Sequence, residues 1–228
     1  MVRTKKSPEV RSNELIDCAE RLFFQHGYEN TTVNDVIREA NLSKGAFYHY
    51  FVSKEALLEA VATRLAQRNL KELQPLAEDP SLDAVAQLNA LFAGSRRLKL
   101  DMAPQLKNTF NALFKPENVA LYHRIDEALL AVSLPLVAQM LRRGHQEGSL
   151  DAPDPEAAAM MLLELRLSVA KVMHKALQRY DAGDIDGAAA MLDGWMRTYG
   201  IAIERFLKLP ERSIEMTAPG FARAFLEA

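Results

Sequence analysis

The sequence predicts an all-α protein, with a small N-terminal helical domain followed by a larger helical bundle. Two observations carry this. Apolar residues recur at three- and four-residue intervals along nearly the whole chain, and no stretch alternates apolar and polar residues as a half-buried strand would. The 228 residues are 49% hydrophobic and 25% charged, the make-up of an ordinary globular chain long enough to bury a core.

The elements follow in order. Leu15, Ile16, Ala19, Leu22 and Phe23 form the inward stripe of a first helix that ends near Gly27. Thr32, with Asp35 three residues on, opens a short helix to about Ala40 as an N-cap with an acidic partner. Asn41 stands where a chain leaving a helix turns left-handed, a conformation that Asn tolerates. Ser43 caps a second short helix from Lys44 to about Tyr50. Ser53 caps a fourth helix that points Leu57, Leu58, Val61 and Leu65 inward and runs to about Pro75. Longer helices are expected over about 81–99, 104–114, 117–147, 155–180 and 185–208. Pro104, Pro116 and Pro155 suit first turns, where a missing N–H costs nothing. Pro135 falls inside a helical pattern and is expected to kink or interrupt it. The loops are 148–155 and 181–187. The domains read as 1–54 and 55–228.

Composition excludes several classes. Cys18 is the single cysteine, so the chain makes no internal disulfide and no cysteine-based metal site, which indicates a reducing compartment. The longest charge-free apolar run, Ala128 to Leu141, is too short to cross a bilayer and contains Pro135 and Gln139. The first residues are basic but lack the apolar core of a secretory signal. The expectation is a soluble, cytoplasmic protein with no membrane partner. A net charge of −2 argues against coating nucleic acid over the whole surface. The first twelve residues are the basic exception, with Arg3, Lys5, Lys6 and Arg11 against Glu9 alone. They read as a mobile arm or as an ordinary solvated terminus.

Residues 32–54 carry the functional signal: a short helix, a tight turn, a second short helix, then a capped third. The second is rich in groups suited to DNA. Ser43, Tyr48 and His49 offer hydrogen bonds and Lys44 offers charge, while Gly45 and Ala46 keep its N-terminal end small enough for close approach. A recognition helix meets base edges and phosphates with that end. Lys54, in the first turn of the next helix, opposes the helix dipole. Its position makes sense if a phosphate binds there. The plain alternative is a three-helix packing unit with exposed polar residues; Val33, Val36, Phe47 and Phe51 are core in either case.

This stretch closely resembles the N-terminal domain of the TetR (tetracycline repressor) family of bacterial regulators. The matching residues are Ala19, Leu22 and Phe23, then Gly27, Thr31-Thr32-Val33, Asp35-Val36, Ala40, Leu42-Ser43-Lys44-Gly45, Phe47-Tyr48, Tyr50-Phe51 and Lys54-Glu55-Leu57-Leu58. They span about residues 10–60, with the helix-turn-helix motif at about 33–52. The resemblance implies a DNA-binding transcriptional regulator, a repressor, that binds a palindromic operator as a homodimer and is released by a small-molecule effector. By position, it maps DNA contacts to Thr32, Ser43, Lys44, Gly45, Ala46, Tyr48, His49 and Lys54. Lys44 and Ala46 are the expected base readers, and Thr32, Tyr48, His49 and Lys54 the expected phosphate anchors. Asn41 departs from the family's usual Gly and Ile37 from a common Ala, which alters the packing of the two motif helices without removing DNA binding.

The larger domain is less explicit. Phe92, Met102, Phe110, Phe114, Tyr122, Met140 and Met173 could line a largely apolar effector pocket, with Tyr122 and His123 as polar handles, or serve as plain core. Two wide stripes on the last long helices suggest a four-helix interface across a two-fold axis. One comprises Met161, Leu165, Val169, Val172 and Met173; the other Ala188, Met191, Leu192, Trp195, Tyr199, Ile203 and Phe206. The interface set is Met161, Leu165, Val169, Val172, Met191, Leu192, Trp195, Tyr199 and Ile203. His123, His145 and His174 fall on three separate helical segments without metal-ligand spacing, so no metal or cofactor is expected. Counting back from Gly187 puts Ala182 and Asp193 at the first and twelfth positions of a calcium loop, so Asp184 reads as an N-cap instead. Neither a phosphate cradle nor a nucleophile elbow is present, and the chain is not read as an enzyme. The rival reading is a dimeric helical sensor or interaction protein that does not act through DNA.

Overall fold

The computed structural model describes residues 7–228, the side chains at 117, 166 and 167 excepted. All regular structure among the described residues is helical. The helices are α1 (Pro8–His26), α2 (Val33–Glu39), α3 (Lys44–Tyr50), α4 (Lys54–Ala77), α5 (Ala84–Asp101), α6 (Ala103–Leu113), α7 (Val119–Glu147), α8 (Pro155–Asp181), α9 (Ile185–Phe206) and α10 (Phe221–Glu227), with one 3-10 turn at Pro116–Asn118. Arg3, Lys5 and Lys6 of the basic segment lie outside the described residues.

The chain forms two compact units. One comprises residues up to Leu65 with Asn108–Ala128; the other comprises Ala66–Lys107 with Leu129–Ala228. Helices α4, α6 and α7 contribute residues to both.

The first unit is built on α1 to α3. Leu15, Ile16, Ala19 and Phe23 of α1 are buried, as are Val36, Phe47, Phe51, Leu57, Leu58 and Val61. Val33 and Leu22 of the expected core are half-buried. Local chemistry sets each helix end. Gly27, at φ 81°, closes α1. Thr32 and Asp35 form a reciprocal capping box at α2: the threonine hydroxyl accepts from Asp35 N, and Asp35 accepts from Thr32 N at 2.9 Å. Asn41, at φ 51°, ends α2 in the expected left-handed conformation. Asn41 N donates to Arg38 O and Leu42 N to Ile37 O, which together make a complete Schellman closure. Ile37 and Leu42 then occupy the two positions whose side chains commonly pair in that motif. Ser43 and Ser53 accept from Ala46 N and Ala56 N and cap α3 and α4.

The second unit contains α5, α8, α9 and α10. Helices α8 and α9 form a hairpin turning at Gly183, φ 88°, and Asp184 caps α9 by accepting from Gly187 N at 3.0 Å. Within the pair, the Tyr199 hydroxyl donates to Leu162 O. Gly144 lets α7 approach closely: a Cβ there would lie 2.7 Å from the Ala84 side chain and 2.6 Å from that of Leu150.

The structure departs from three expectations. Of the kink or interruption expected at Pro135, the interruption does not occur, and α7 runs through it. Pro135 and Ala131 are both exposed, so the carbonyl that proline leaves unbonded is on the solvent side. Consequently His123 and His145 share α7, and only His174 lies on another helix, α8. The third is α10, for which no helix was expected. Phe221, Ala222, Phe225 and Leu226 are buried, and Lys107 Nζ donates to Leu226 O at 2.7 Å. The segment before it is tied down by Asn89, whose amide donates to Ser213 O and accepts from Glu215 N.

Candidate nucleic-acid interface

Helix α3 has seven residues, and its burial divides it cleanly. At about 100° per residue, Lys44, Tyr48, Gly45 and His49 fall within one arc of about 140°, and all four are exposed. Phe47, fully buried, anchors the opposite side against Phe51. Ala46 is half-buried at the margin of the exposed arc. Tyr48 is 47% exposed and rests edge-on against Phe47. His49 contacts Tyr50 edge-to-face. Gly45 is helical, and a Cβ there would meet nothing within 4 Å.

The caps differ in what they leave available. Ser43 accepts from Ala46 N, so its hydroxyl proton remains free to donate outward. The Thr32 hydroxyl proton is committed to Asp35 Oδ2 at 2.6 Å, and the other carboxylate oxygen takes Arg38 Nη2 at 2.6 Å. Hydrogen bonds from Thr32 hold the Asp35 carboxyl below the usual range. Arg38, with an exposed side chain, is a cation beside this cap that sequence reasoning did not single out; its charge is partly spent on Asp35.

Lys54 is not a solvated cation. It is half-buried, with Nζ 4.0 Å from the centre of the Tyr28 ring. Burial lowers its pKa, against a smaller opposite effect from Glu29 and Glu55. Tyr28 lies in the loop before α2, 26 positions earlier, and periodicity carries no trace of the pairing. Val52, between α3 and α4, is 81% exposed and was also missed.

The residues expected to line an effector pocket divide between the units. Phe110, Phe114 and Tyr122 form an aromatic row in the first unit, with ring centres 5.9 and 4.9 Å apart, and His123 is exposed. In the second, Met140 and Met173 are buried and Phe92 and Met102 half-buried. A cleft of 420 Å³ lies elsewhere, lined by Arg11, Glu14, Asp17, Cys18, Arg21, Glu39, Ala40 and Asn41. Ion pairs Arg11–Glu14, Arg21–Glu39 and Arg64–Asp17 occupy its charged groups. Cys18 is buried there, which pushes its thiol pKa up.

The residues expected at a subunit interface differ in exposure. Leu192, Ile203, Tyr199 and Val169 are buried within the chain itself. Met161, Leu165 and Trp195 are exposed by 58, 40 and 40%. Val172 and Met191 are half-buried. Phe206, outside the expected set, is exposed three turns after Trp195 on the same side of α9.

The chain is similar to known proteins in sequence and in fold. Residues 15–61 match the model of bacterial regulatory proteins, tetR family. The HTH-type transcriptional regulator UidR of Escherichia coli (strain K12) is 25% identical over 190 residues, covering 79% of this chain and 90% of UidR. The HTH-type transcriptional regulator YhgD of Bacillus subtilis (strain 168) is 27% identical over 161 residues, 70% of this chain and 82% of YhgD. In fold, the chain is similar to a TetR-family transcriptional regulator from Pectobacterium atrosepticum, with TM-score 0.64, 19% identity, and coverage of 92% of this chain and all of that one. It is also similar to SmeT in its triclosan complex, with TM-score 0.56, 22% identity, and coverage of 92 and 98%. No described helix is long and apolar enough to cross a membrane.

Proposed function

We propose that the chain is a member of the TetR family of bacterial regulatory proteins, a DNA-binding transcriptional regulator: a cytoplasmic repressor, acting as a homodimer on a palindromic operator, and not an enzyme. The observation that carries the reading is the exposed arc of α3. Lys44, Gly45, Tyr48 and His49 share one face of a helix that Ser43 caps and Phe47 anchors. Lys44 has the reach for a guanine edge or a phosphate, and Gly45 admits the close approach that the major groove requires. Tyr48, His49, the Ser43 hydroxyl and Lys54 serve the backbone; Thr32, its hydroxyl engaged by Asp35, orients the start of α2.

The dimer contact is the exposed strip of Met161, Leu165, Val172, Met191, Trp195 and Phe206 on α8 and α9. An isologous pairing of that strip would bring two copies of α3 to one operator. A small, largely apolar effector binding in the larger domain would favour a spacing that no longer fits the operator. To lower affinity tenfold it must prefer the non-binding state by about 1.4 kcal/mol. Titration of labelled genomic fragments at several salt concentrations tests this. The expected result is a salt-sensitive shift confined to a subset of fragments; equal binding to all of them, or to none, would reject sequence-specific regulation.

A further inference from the structure

Resting on the reading of Lys54 as a phosphate anchor, we propose that Tyr28 is a positioning residue for DNA binding, a ring platform that holds the Lys54 ammonium at the start of α4 without using its hydrogen-bond donors. Tyr28 is only 8% exposed. One side of its ring is fixed edge-on by Phe23 of α1, with centres 5.3 Å apart. Lys54 Nζ stands 4.0 Å from its centre. The phenol reaches Glu55, the next residue of α4, at 3.5 Å. Tyr28 therefore addresses the first two residues of α4 at once.

The choice of partner matters. A carboxylate would take one or two of the three ammonium N–H groups and cancel the charge that a phosphate needs. A ring face attracts the cation and leaves its donors available. Among the described residues, neighbouring carboxylates are directed elsewhere: Glu29 pairs with Lys115 at 3.3 Å, and Glu55 receives the Tyr28 hydroxyl. They act on Lys54 through space, without a direct ion pair. A lysine stem is otherwise among the most mobile of side chains, so holding it in place beforehand lowers the entropy lost when phosphate binds.

The test uses a DNA duplex selected by the full-length wild-type protein from a random pool, with affinity measured against salt concentration. Tyr28→Phe keeps the ring and is expected to keep wild-type affinity and salt slope. Tyr28→Leu removes it and is expected to weaken binding by about threefold to tenfold per subunit. In the Lys54→Ala background, Tyr28→Leu is expected to cause no further loss, because it acts through that ammonium. Equal losses in Tyr28→Phe and Tyr28→Leu, or losses that add in the double variant, would overturn the proposal. A salt slope unchanged by Lys54→Ala would instead reject the phosphate-anchor reading beneath it. Should Tyr28→Leu fail to fold, NMR of the wild-type complex decides. The Lys54 ε-methylene protons are expected to stay shifted upfield by the ring on DNA; random-coil shifts there would overturn the proposal.

Discussion

At the scale of single residues, Gly45 offers the cleanest separation of fold from function. It is helical, exposed and surrounded by open space, so Gly45→Glu meets no steric obstacle in the free protein. An acid in the first turn stabilises a helix by about 0.3–1 kcal/mol, and replacing glycine in a helix adds up to about 1 kcal/mol. The variant should melt at or above the wild-type temperature yet lose specific DNA binding, through bulk and negative charge where the backbone approaches phosphate. A stable variant that binds the selected duplex normally would remove α3 from the groove. Lys54→Ala should lower the salt slope by about 0.9 per subunit, roughly 2 per dimer, with similar weakening on all sequences. A slope equal to wild type would mean that Lys54 touches no phosphate. Lys54 stands out in the sequence because a lysine opposing a helix dipole invites explanation. Its platform does not, since Tyr28 meets it only through the tertiary fold.

At the scale of elements, the left-handed turn after α2 sets where α3 begins. Asn41 holds φ 51° and Leu42 N closes on Ile37 O. Asn41→Gly should preserve or slightly raise stability. Asn41→Ala should cost about 1 kcal/mol, since a Cβ penalises the left-handed region without the polar side chain that offsets it. Thermal melts of the two variants check this; equal melting temperatures would mean that the turn is not strained. Such ends were legible because caps are local: Thr32, Ser43, Ser53 and Asp184 each announce themselves within four residues. Pro135 does not end α7, because that outcome depends on whether the orphaned carbonyl meets solvent, which no local pattern records. Helix α10 escaped notice because two turns of apolar residues form a helix only against α5, α8 and α9.

At the scale of the whole molecule, burial within one chain sorts the stripe of α9 into two sets that periodicity could not divide. Leu192 is fully buried, whereas Trp195 is 40% exposed. Trp195→Asp should therefore dissociate the dimer while leaving each subunit folded, because two-fold symmetry puts two charges into one apolar contact at a cost of several kcal/mol, roughly. Leu192→Asp should unfold the subunit instead. Sedimentation and circular dichroism on both variants check the division. A folded Trp195→Asp protein that remains dimeric would move the interface elsewhere. The amphipathic character of α8 and α9 was plain from sequence; what lay beyond it was which half of each wide stripe the two helices bury against one another.

Selection of sequences from a random duplex pool by the full-length protein tests the central claim most directly, since it requires both the α3 face and the paired subunits at once. The account predicts enrichment of a two-fold symmetric site, with half-sites about one helical turn apart or a multiple of it, and no such enrichment by Gly45→Glu. A pool that returns no shared sequence after repeated rounds, from protein that is folded and dimeric, would contradict it.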